Sequence, residues 1–328
     1  MEASLGQGSG QVRGDVAEPG YVTLYRAGEL QRRASVAWAM LARCELCPHR
    51  CGVNRLAGER GICGMGDQPK VSSWNLHAWE EPPISGSRGS GTIFFSGCTG
   101  RCRFCQNYPI SQLGYGDVVS VARLAGMMLE LQRRGAHNIN LVTPTHFMPA
   151  ILSALPHAVR QGLRLPLVYN TSGYERVEML RLLEGVVEVW LPDAKYASDE
   201  TARRLSGFGD YVRHNRAALH EMYRQVGSAL VLDDQGLAWR GLIVRHMVLP
   251  DGLAGSAAVL SWIARELSAQ IHVSLMDQYF PAHRAVADPI LGRKVTPEEY
   301  QAALEAFDAS GLEFGWCQQT ACDEEGSC

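Results

Sequence analysis

Lysine is nearly absent from this 328-residue chain: Lys70, Lys195 and Lys294 are the only three. Positive charge as a whole is not in excess, since 31 Lys plus Arg face 34 Asp plus Glu for a formal net charge of -3. A nucleic-acid backbone or an anionic membrane surface calls for a concentrated positive field, and the arginines are spread along the chain, so neither partner is expected. No apolar run approaches the roughly 20 residues that cross a bilayer. Residues 1–20 also lack the charged-then-apolar pattern of a secretory leader. These absences lead to the expectation of a cytoplasmic protein with one large domain and a small appendage.

What the chain does have is cysteine, ten in all. In a reducing compartment so many thiols point to metal or redox chemistry and not to a disulfide framework. Their distribution agrees: Cys44, Cys47, Cys51 and Cys63 form one group, Cys98, Cys102 and Cys105 a second, and Cys317, Cys322 and Cys328 a loose third. The third group has no standard metal-binding spacing and reads as solvent-exposed free thiols.

The Gly-rich residues 1–20 carry too little apolar surface to order themselves and are expected to be a disordered tail. Residues 21–85 read as a small cysteine-rich amino-terminal module that opens with a helical pattern from Leu30 to Leu41. Residues 86–316 read as the main domain and 317–328 as a carboxy-terminal tail. Within the main domain six strand-like runs are expected at Thr92–Ser96, Asn138–Val142, Leu167–Asn170, Val186–Leu191, Leu242–Leu249 and Ile271–Met276. Helical stretches alternate with them, and the last opens with the capping box Thr296-Pro297-Glu298-Glu299. Such alternation implies an α/β fold with parallel strands and right-handed crossovers, two units short of an eightfold barrel.

In parallel βα architectures chemistry gathers at the carboxyl ends of the strands. Cys98, Cys102 and Cys105 follow the first strand, and three thiolates so spaced can hold one corner set of an iron-sulfur cubane, whereas a structural zinc takes four protein ligands. One iron is then left for a small molecule that chelates through an amine and a carboxylate. Thr143, Thr145 and His146 follow the second strand, Asn170 and Ser172 the third, and Asp193 and Lys195 the fourth. Arg245 and His246 lie in the fifth and face opposite sides of the sheet; His246 is expected to face inward. Gln278 and Tyr279 follow the sixth, where they would floor a pocket or simply pack.

The Cys-x3-Cys-x2-Cys triplet with Phe104 before its last cysteine resembles the radical S-adenosylmethionine (SAM) superfamily. The stretch EEPPISGSRGSGTIFFSGCTGRCRFCQNYPIS, followed by VTPTHFMP, YNTSGY, LPDAKY, RHMVLP and LMDQYFP, is similar to uncharacterised homologues of pyruvate formate-lyase activating enzyme, over roughly Cys44 to Trp316. The resemblance implies a partial (β/α)6 TIM-like barrel. It also implies a 4Fe-4S cluster on Cys98, Cys102 and Cys105 with SAM on the fourth iron, and a one-electron donor of flavodoxin or ferredoxin type. Reductive cleavage then gives methionine and a 5'-deoxyadenosyl radical that abstracts hydrogen from a protein or small-molecule substrate.

Carried onto this chain, the resemblance places Asp193 and Lys195, an Asp-x-Lys pattern, beside SAM; a surface ion pair is the ordinary alternative. Many relatives hold the SAM amino group with a Gly-Gly-Glu segment after the second strand. Here Val142-Thr143-Pro144-Thr145 has no carboxylate, and Thr143 is the candidate in its place. Asn170 and Ser172 stand where the activating enzymes carry an Asp-Thr-Asn-Gly-like run and can still meet SAM polar groups. Phe104 is a candidate against the purine or else an ordinary core aromatic. Lys195 and His246 are the catalytic candidates, His246 being equally readable as a core histidine.

Cys44, Cys47, Cys51 and Cys63 supply the four thiolates of either a zinc site or a second, fully ligated iron-sulfur cluster. Two readings compete with a glycyl-radical-type activase: a radical SAM enzyme acting on a small molecule or peptide, and a non-enzymatic iron-sulfur electron carrier or metal sensor.

Overall fold

The computed structural model describes residues 3–5, 11–13 and 18–317. Most of the amino-terminal tail expectation, and Cys322 and Cys328, fall outside the described residues. Seven strands run parallel in sequential order: β1 (Ser90–Phe95), β2 (Ile139–Val142), β3 (Leu167–Thr171), β4 (Val189–Pro192), β5 (Ala238–Met247), β6 (His272–Met276) and β7 (Phe314–Cys317). The first six coincide with the expected runs to within a few residues, and the α/β partial-barrel reading stands.

β7 was not expected. It follows the helix Pro297–Ser310 after the left-handed Gly311 and pairs parallel with β6. The sheet is prolonged at each side by antiparallel pieces, Lys70–His77 against β1 and Ala3–Leu5 against β7. The cysteine-rich segment is therefore joined to the barrel sheet through its own strand.

Local chemistry explains the helices that separate the strands. The helix Val121–Arg133 starts where the Ser120 hydroxyl accepts from Arg123 N at 3.1 Å, and it buries Leu124, Met127, Met128 and Leu131 on one face. The final helix has the expected box: Thr296 Oγ1 accepts from Glu299 N, and Glu299 Oε2 accepts from Thr296 N at 2.9 Å. Such caps each contribute about 1 kcal/mol.

Alternate strand residues face two different cores. Leu141, Tyr169, Trp190, Val244, Val273 and Leu275 join the large core under the helices. Val168, Val189, Leu191, Ile243 and Trp316 fill the lumen with Ile84, from the short helix Pro82–Ser85 that enters it. Toward the carboxyl ends the lumen lining turns polar, with Asn170 and Arg245.

Glu188, just before β4, is buried and accepts from Gly20 N at 2.9 Å and Leu167 N at 2.8 Å, tying the amino-terminal helix to the start of β3. Burial pushes its carboxyl up from 4.5 to about 8, against the pull of those N–H groups. The folded state thus holds a proton that the unfolded chain releases near 4.5, so the contribution of this group is full below that pH and is lost as pH rises toward 8. Glu188→Gln is expected to flatten the fall in melting temperature between pH 5 and 8; an unchanged pH slope would overturn this.

Candidate functional site

The loop after β1 begins at Gly97, whose φ of +77° suits only glycine at low cost. A Cβ there would also stand 2.8 Å from the Cys63 carbonyl oxygen. This glycine lets the Cys98–Cys105 loop lie directly on the amino-terminal cysteine segment. Each thiol of the loop has a polar neighbour at its sulfur. Gly100 N donates to Cys98 Sγ at 3.2 Å, Ser206 Oγ donates to Cys102 Sγ at 3.0 Å, and Ser111 Oγ lies 3.2 Å from Cys105 Sγ.

The loop's backbone is pinned as well. Arg101 N and Arg103 N donate to the Ser206 and Leu205 carbonyls, and Ala285 N donates to the Arg103 carbonyl, each within 2.9 Å. Arg103 pairs with Asp288 at 3.3 Å, so the segment after β6 closes over the loop.

Burial pushes the Cys98 thiol up to about 12, while the Lys195 charge works the other way. Among the described residues no set of His, Cys, Asp or Glu side chains is closed around a single ion. A cubane spaces its thiolates more widely than one ion does. Three thiols on one loop, each with a polar group at its sulfur and a cation nearby, are a donor set that fits such a cluster.

Opposite the loop lies a buried charge cluster. Asp193 Oδ2 is 2.6 Å from Lys195 Nζ, and Asp193 Oδ1 accepts from Arg245 at 2.9 and 3.0 Å. Arg245 also donates to Asn170 Oδ1 at 2.6 Å and has Glu80 Oε2 at 3.8 Å. Burial opposes the charge on Asp193, yet Arg245 and Lys195 hold its carboxyl below the usual range. Burial likewise disfavours the Lys195 cation, but Asp193 outweighs it and raises the ammonium. The surface-pair alternative for Asp193 and Lys195 is excluded by this burial.

The end of β4 is gripped from outside: Asn215 Nδ2 donates to the Asp193 carbonyl at 2.9 Å and to the Gly173 carbonyl at 3.2 Å. A Cβ on Gly173 would fall 2.3 Å from that Asp193 carbonyl, so the Ser172-Gly173 turn can cross there only as glycine.

The strand-end candidates separate in space. Thr143 has φ +58°, an outlier for a β-branched residue, and its N–H donates to the Asn170 carbonyl at 2.9 Å. The Thr145 hydroxyl donates to Glu175 Oε1 at 2.5 Å, as does that of Thr171. Burial pushes the Glu175 carboxyl up to about 7. Ser172 is half-buried, and its carbonyl accepts from the Tyr211 hydroxyl at 3.0 Å. Phe104 is 4% exposed and meets Tyr279 edge-on at 5.7 Å, which makes it a packing aromatic here. Tyr279 packs too, with its hydroxyl on the Leu291 carbonyl, while Gln278 is exposed.

The inward placement of His246 is corrected. Arg245 faces the lumen, and His246 faces the helical layer beside Leu275. Its Nδ1 donates to the Ala194 carbonyl at 2.6 Å and its Nε2 accepts from the Ser256 hydroxyl at 2.9 Å. Burial lowers its pKa to about 4. Both nitrogens of this neutral imidazole are engaged in holding strands and helix together.

His146 is equally buried, with Nε2 on the Ser96 carbonyl at 2.8 Å. Cys317 is corrected as well: it is 4% exposed, on β7. Sequence reasoning passed over Glu80, Glu175 and the inward role of Arg245. The one visible signal for Arg245 was its place two residues from a hydrophobic strand end.

The four amino-terminal cysteines sit on turns that close on themselves: Cys44 N donates to the Val53 carbonyl and Gly52 N to the Cys44 carbonyl, at 2.8 and 2.9 Å. His49 Nε2 donates to the Thr99 carbonyl at 2.7 Å, and Arg101 donates to the Ile62 carbonyl. The two cysteine groups therefore share an interface.

A profile of the radical SAM superfamily matches residues 92–232. The chain is also 30% identical over 296 residues to an uncharacterized protein of Methanocaldococcus jannaschii, a match that covers 87% of this chain and 80% of that protein.

Asp193→Asn leaves two half-buried cations without their shared anion and is expected to cost about 3 kcal/mol in urea unfolding. Lys195→Met, which leaves Asp193 with Arg245, is expected to cost less. Equal losses would show that Asp193 does not bridge the two.

Proposed function

Because the chain belongs to the radical SAM superfamily, whose members use a 4Fe-4S cluster and SAM, we propose that it is an activating-enzyme-like radical SAM oxidoreductase that takes hydrogen from a glycine of a partner protein. The observation that carries the enzymatic reading is that Cys98 and Cys102 lie within electrostatic reach of Lys195, which with Asp193 and Arg245 forms the charge cluster at the carboxyl ends of the strands. When bound, the cluster and SAM supply one-electron cleavage of a sulfonium and hydrogen-atom abstraction.

The chain's own residues hold the cluster and offset its charge. Cys98, Cys102 and Cys105 would hold the cluster. Lys195 lies near enough to Cys98 and Cys102 to act on both, and its positive charge offsets the negative charge of a thiolate-bound centre. Asn170, Ser172 and the ion-paired Asp193 are the residues that would meet polar groups of SAM. Thr143, held in the left-handed region after β2, is the residue assigned to the SAM amino group, which other members hold with the Gly-Gly-Glu carboxylate. Ala285 and Asp288, from the segment after β6, hold the backbone and the Arg103 side chain of the loop, which fixes the loop that carries the thiols. The electron comes from a flavodoxin- or ferredoxin-type protein.

The glycine of a partner protein rests on the likeness of the strand-end segments to the activating-enzyme homologues. A small molecule or peptide is the second reading, favoured by the buried Glu81, whose Oε2 has no partner beside Arg245.

Reduced, reconstituted protein is expected to turn SAM into 5'-deoxyadenosine and methionine, with Cys102→Ala lowering the rate about a hundredfold or more. Wild-type protein no better than Cys102→Ala would replace the enzyme with the electron-carrier or metal-sensor reading. A glycine-centred electron paramagnetic resonance signal on an added glycyl-radical-type protein supports the activase. A rise in 5'-deoxyadenosine only with small molecules or peptides supports the second reading.

A further inference from the structure

Arg55 is 1% exposed, a guanidinium sealed inside the protein. Arginine in that position is ordinarily paired with a carboxylate, because an isolated buried charge costs several kcal/mol. Its partners here are of another kind. Nε donates to the Gly66 carbonyl at 2.9 Å, Nη2 donates to the same oxygen, and Nη1 donates to the His146 carbonyl at 2.7 Å. The remaining neighbours are the Phe147 ring, 5.7 Å from the guanidinium carbon, and the Cys44 sulfur, 3.9 Å from Nη1. Among the described residues no acidic side chain forms an ion pair with it.

The one side-chain atom able to carry negative charge in contact with this cation, among the described residues, is the Cys44 sulfur. Arg55 is close enough to Cys63 to act on its charge, and Cys44, Cys47, Cys51 and Cys63 are close enough to act on one another. As neutral thiols they leave the guanidinium without a counter-charge. As thiolates on a metal they provide it, since four of them outweigh the two positive charges of Zn2+ or of a [4Fe-4S]2+ core by two.

We propose that Cys44, Cys47, Cys51 and Cys63 hold a metal centre of net negative charge and that Arg55 is its buried counter-cation. Zinc and a fully ligated iron-sulfur cluster share this tetrathiolate chemistry. The four sulfurs are not closed around a single ion as they stand, so zinc requires them to draw together, whereas a cluster takes them at wider spacing. Arg55 also ties the centre to the other cysteine loop. It grips the His146 carbonyl, the His146 ring donates to the Ser96 carbonyl, and Gly97 lies on the Cys63 carbonyl. The centre thereby braces the loop that presents Cys98. Arg55 is a positioning residue and touches no reacting atom.

The proposal does not rest on the reaction proposed above, and it is tested in protein where Cys98, Cys102 and Cys105 are all replaced by alanine. Purified without oxygen, this protein is expected to keep about one zinc, or about four irons with sulfide, per chain. Either result supports the tetrathiolate centre and identifies its metal. If the triple variant does not fold, the same number is read as the difference between wild type and Cys51→Ala. Competition with a chelator is expected to show metal held about 10- to 100-fold more weakly in Arg55→Met, with Arg55→Lys near wild type. Folded protein, by circular dichroism, that carries no zinc or iron beyond a Cys44→Ser, Cys47→Ser control would overturn the centre. Unchanged metal affinity in folded Arg55→Met would overturn the role of Arg55.

Discussion

Asp193 is shared by two cations, and the geometry of the strand ends depends on that sharing. One carboxylate oxygen takes the Lys195 ammonium and the other the Arg245 guanidinium, in surroundings that exclude most water. A lone charge there would be expelled or neutralised. With two partners the ionised form wins, which is why burial fails to raise this carboxyl. Arg245 then extends the grip to Asn170, so the ends of β3, β4 and β5 are bound to one another by side chains as well as by the backbone bonds from Asp193 N to the Thr171 carbonyl and from Ala194 N to the Arg245 carbonyl.

The same cluster adds a positive charge near the cysteine loop, where burial is the largest influence on the Cys98 and Cys102 thiols. The Lys195 charge acts on Cys98 and Cys102, and Ser206 and Gly100 donate to the sulfurs of Cys102 and Cys98. A thiolate-ligated centre carries negative charge, and a site that meets it with a fixed ammonium and oriented dipoles needs little rearrangement when it forms. The second cysteine group repeats the principle with Arg55 in the place of Lys195. A half-buried and a buried cation thus lie near the two sets of thiols, and the sets touch through Gly97, where any side chain would collide with the Cys63 carbonyl.

Local periodicity carried the strand count almost completely. Fully buried parallel strands read as short apolar runs, and six of the seven announced themselves so. β7 did not, because Phe314–Cys317 is four residues long with a glycine in its middle. Lys70–His77 escaped for the opposite reason: it is half-exposed, and its polar residues obscure any apolar run. The orientation of β5 shows how small the margin is. A shift of one residue exchanges the two faces of a strand, so a choice between Arg245 and His246 by residue chemistry alone had nothing in the local pattern to anchor it.

The sequence by itself determined the cysteine loop, because ligands three and four residues apart are brought together by the turn that contains them. It also determined the order of strands and helices, since hydrophobic period is a local property of the chain. The charge cluster, the burial of His246 and Cys317, and the position of Arg55 among the thiols were decided only by the tertiary structure. Arg245 meets Asp193 from 52 residues away and Asn170 from 75, and Arg55 reaches His146 across 91. Contacts of that range depend on strand register and packing, which no local spacing encodes.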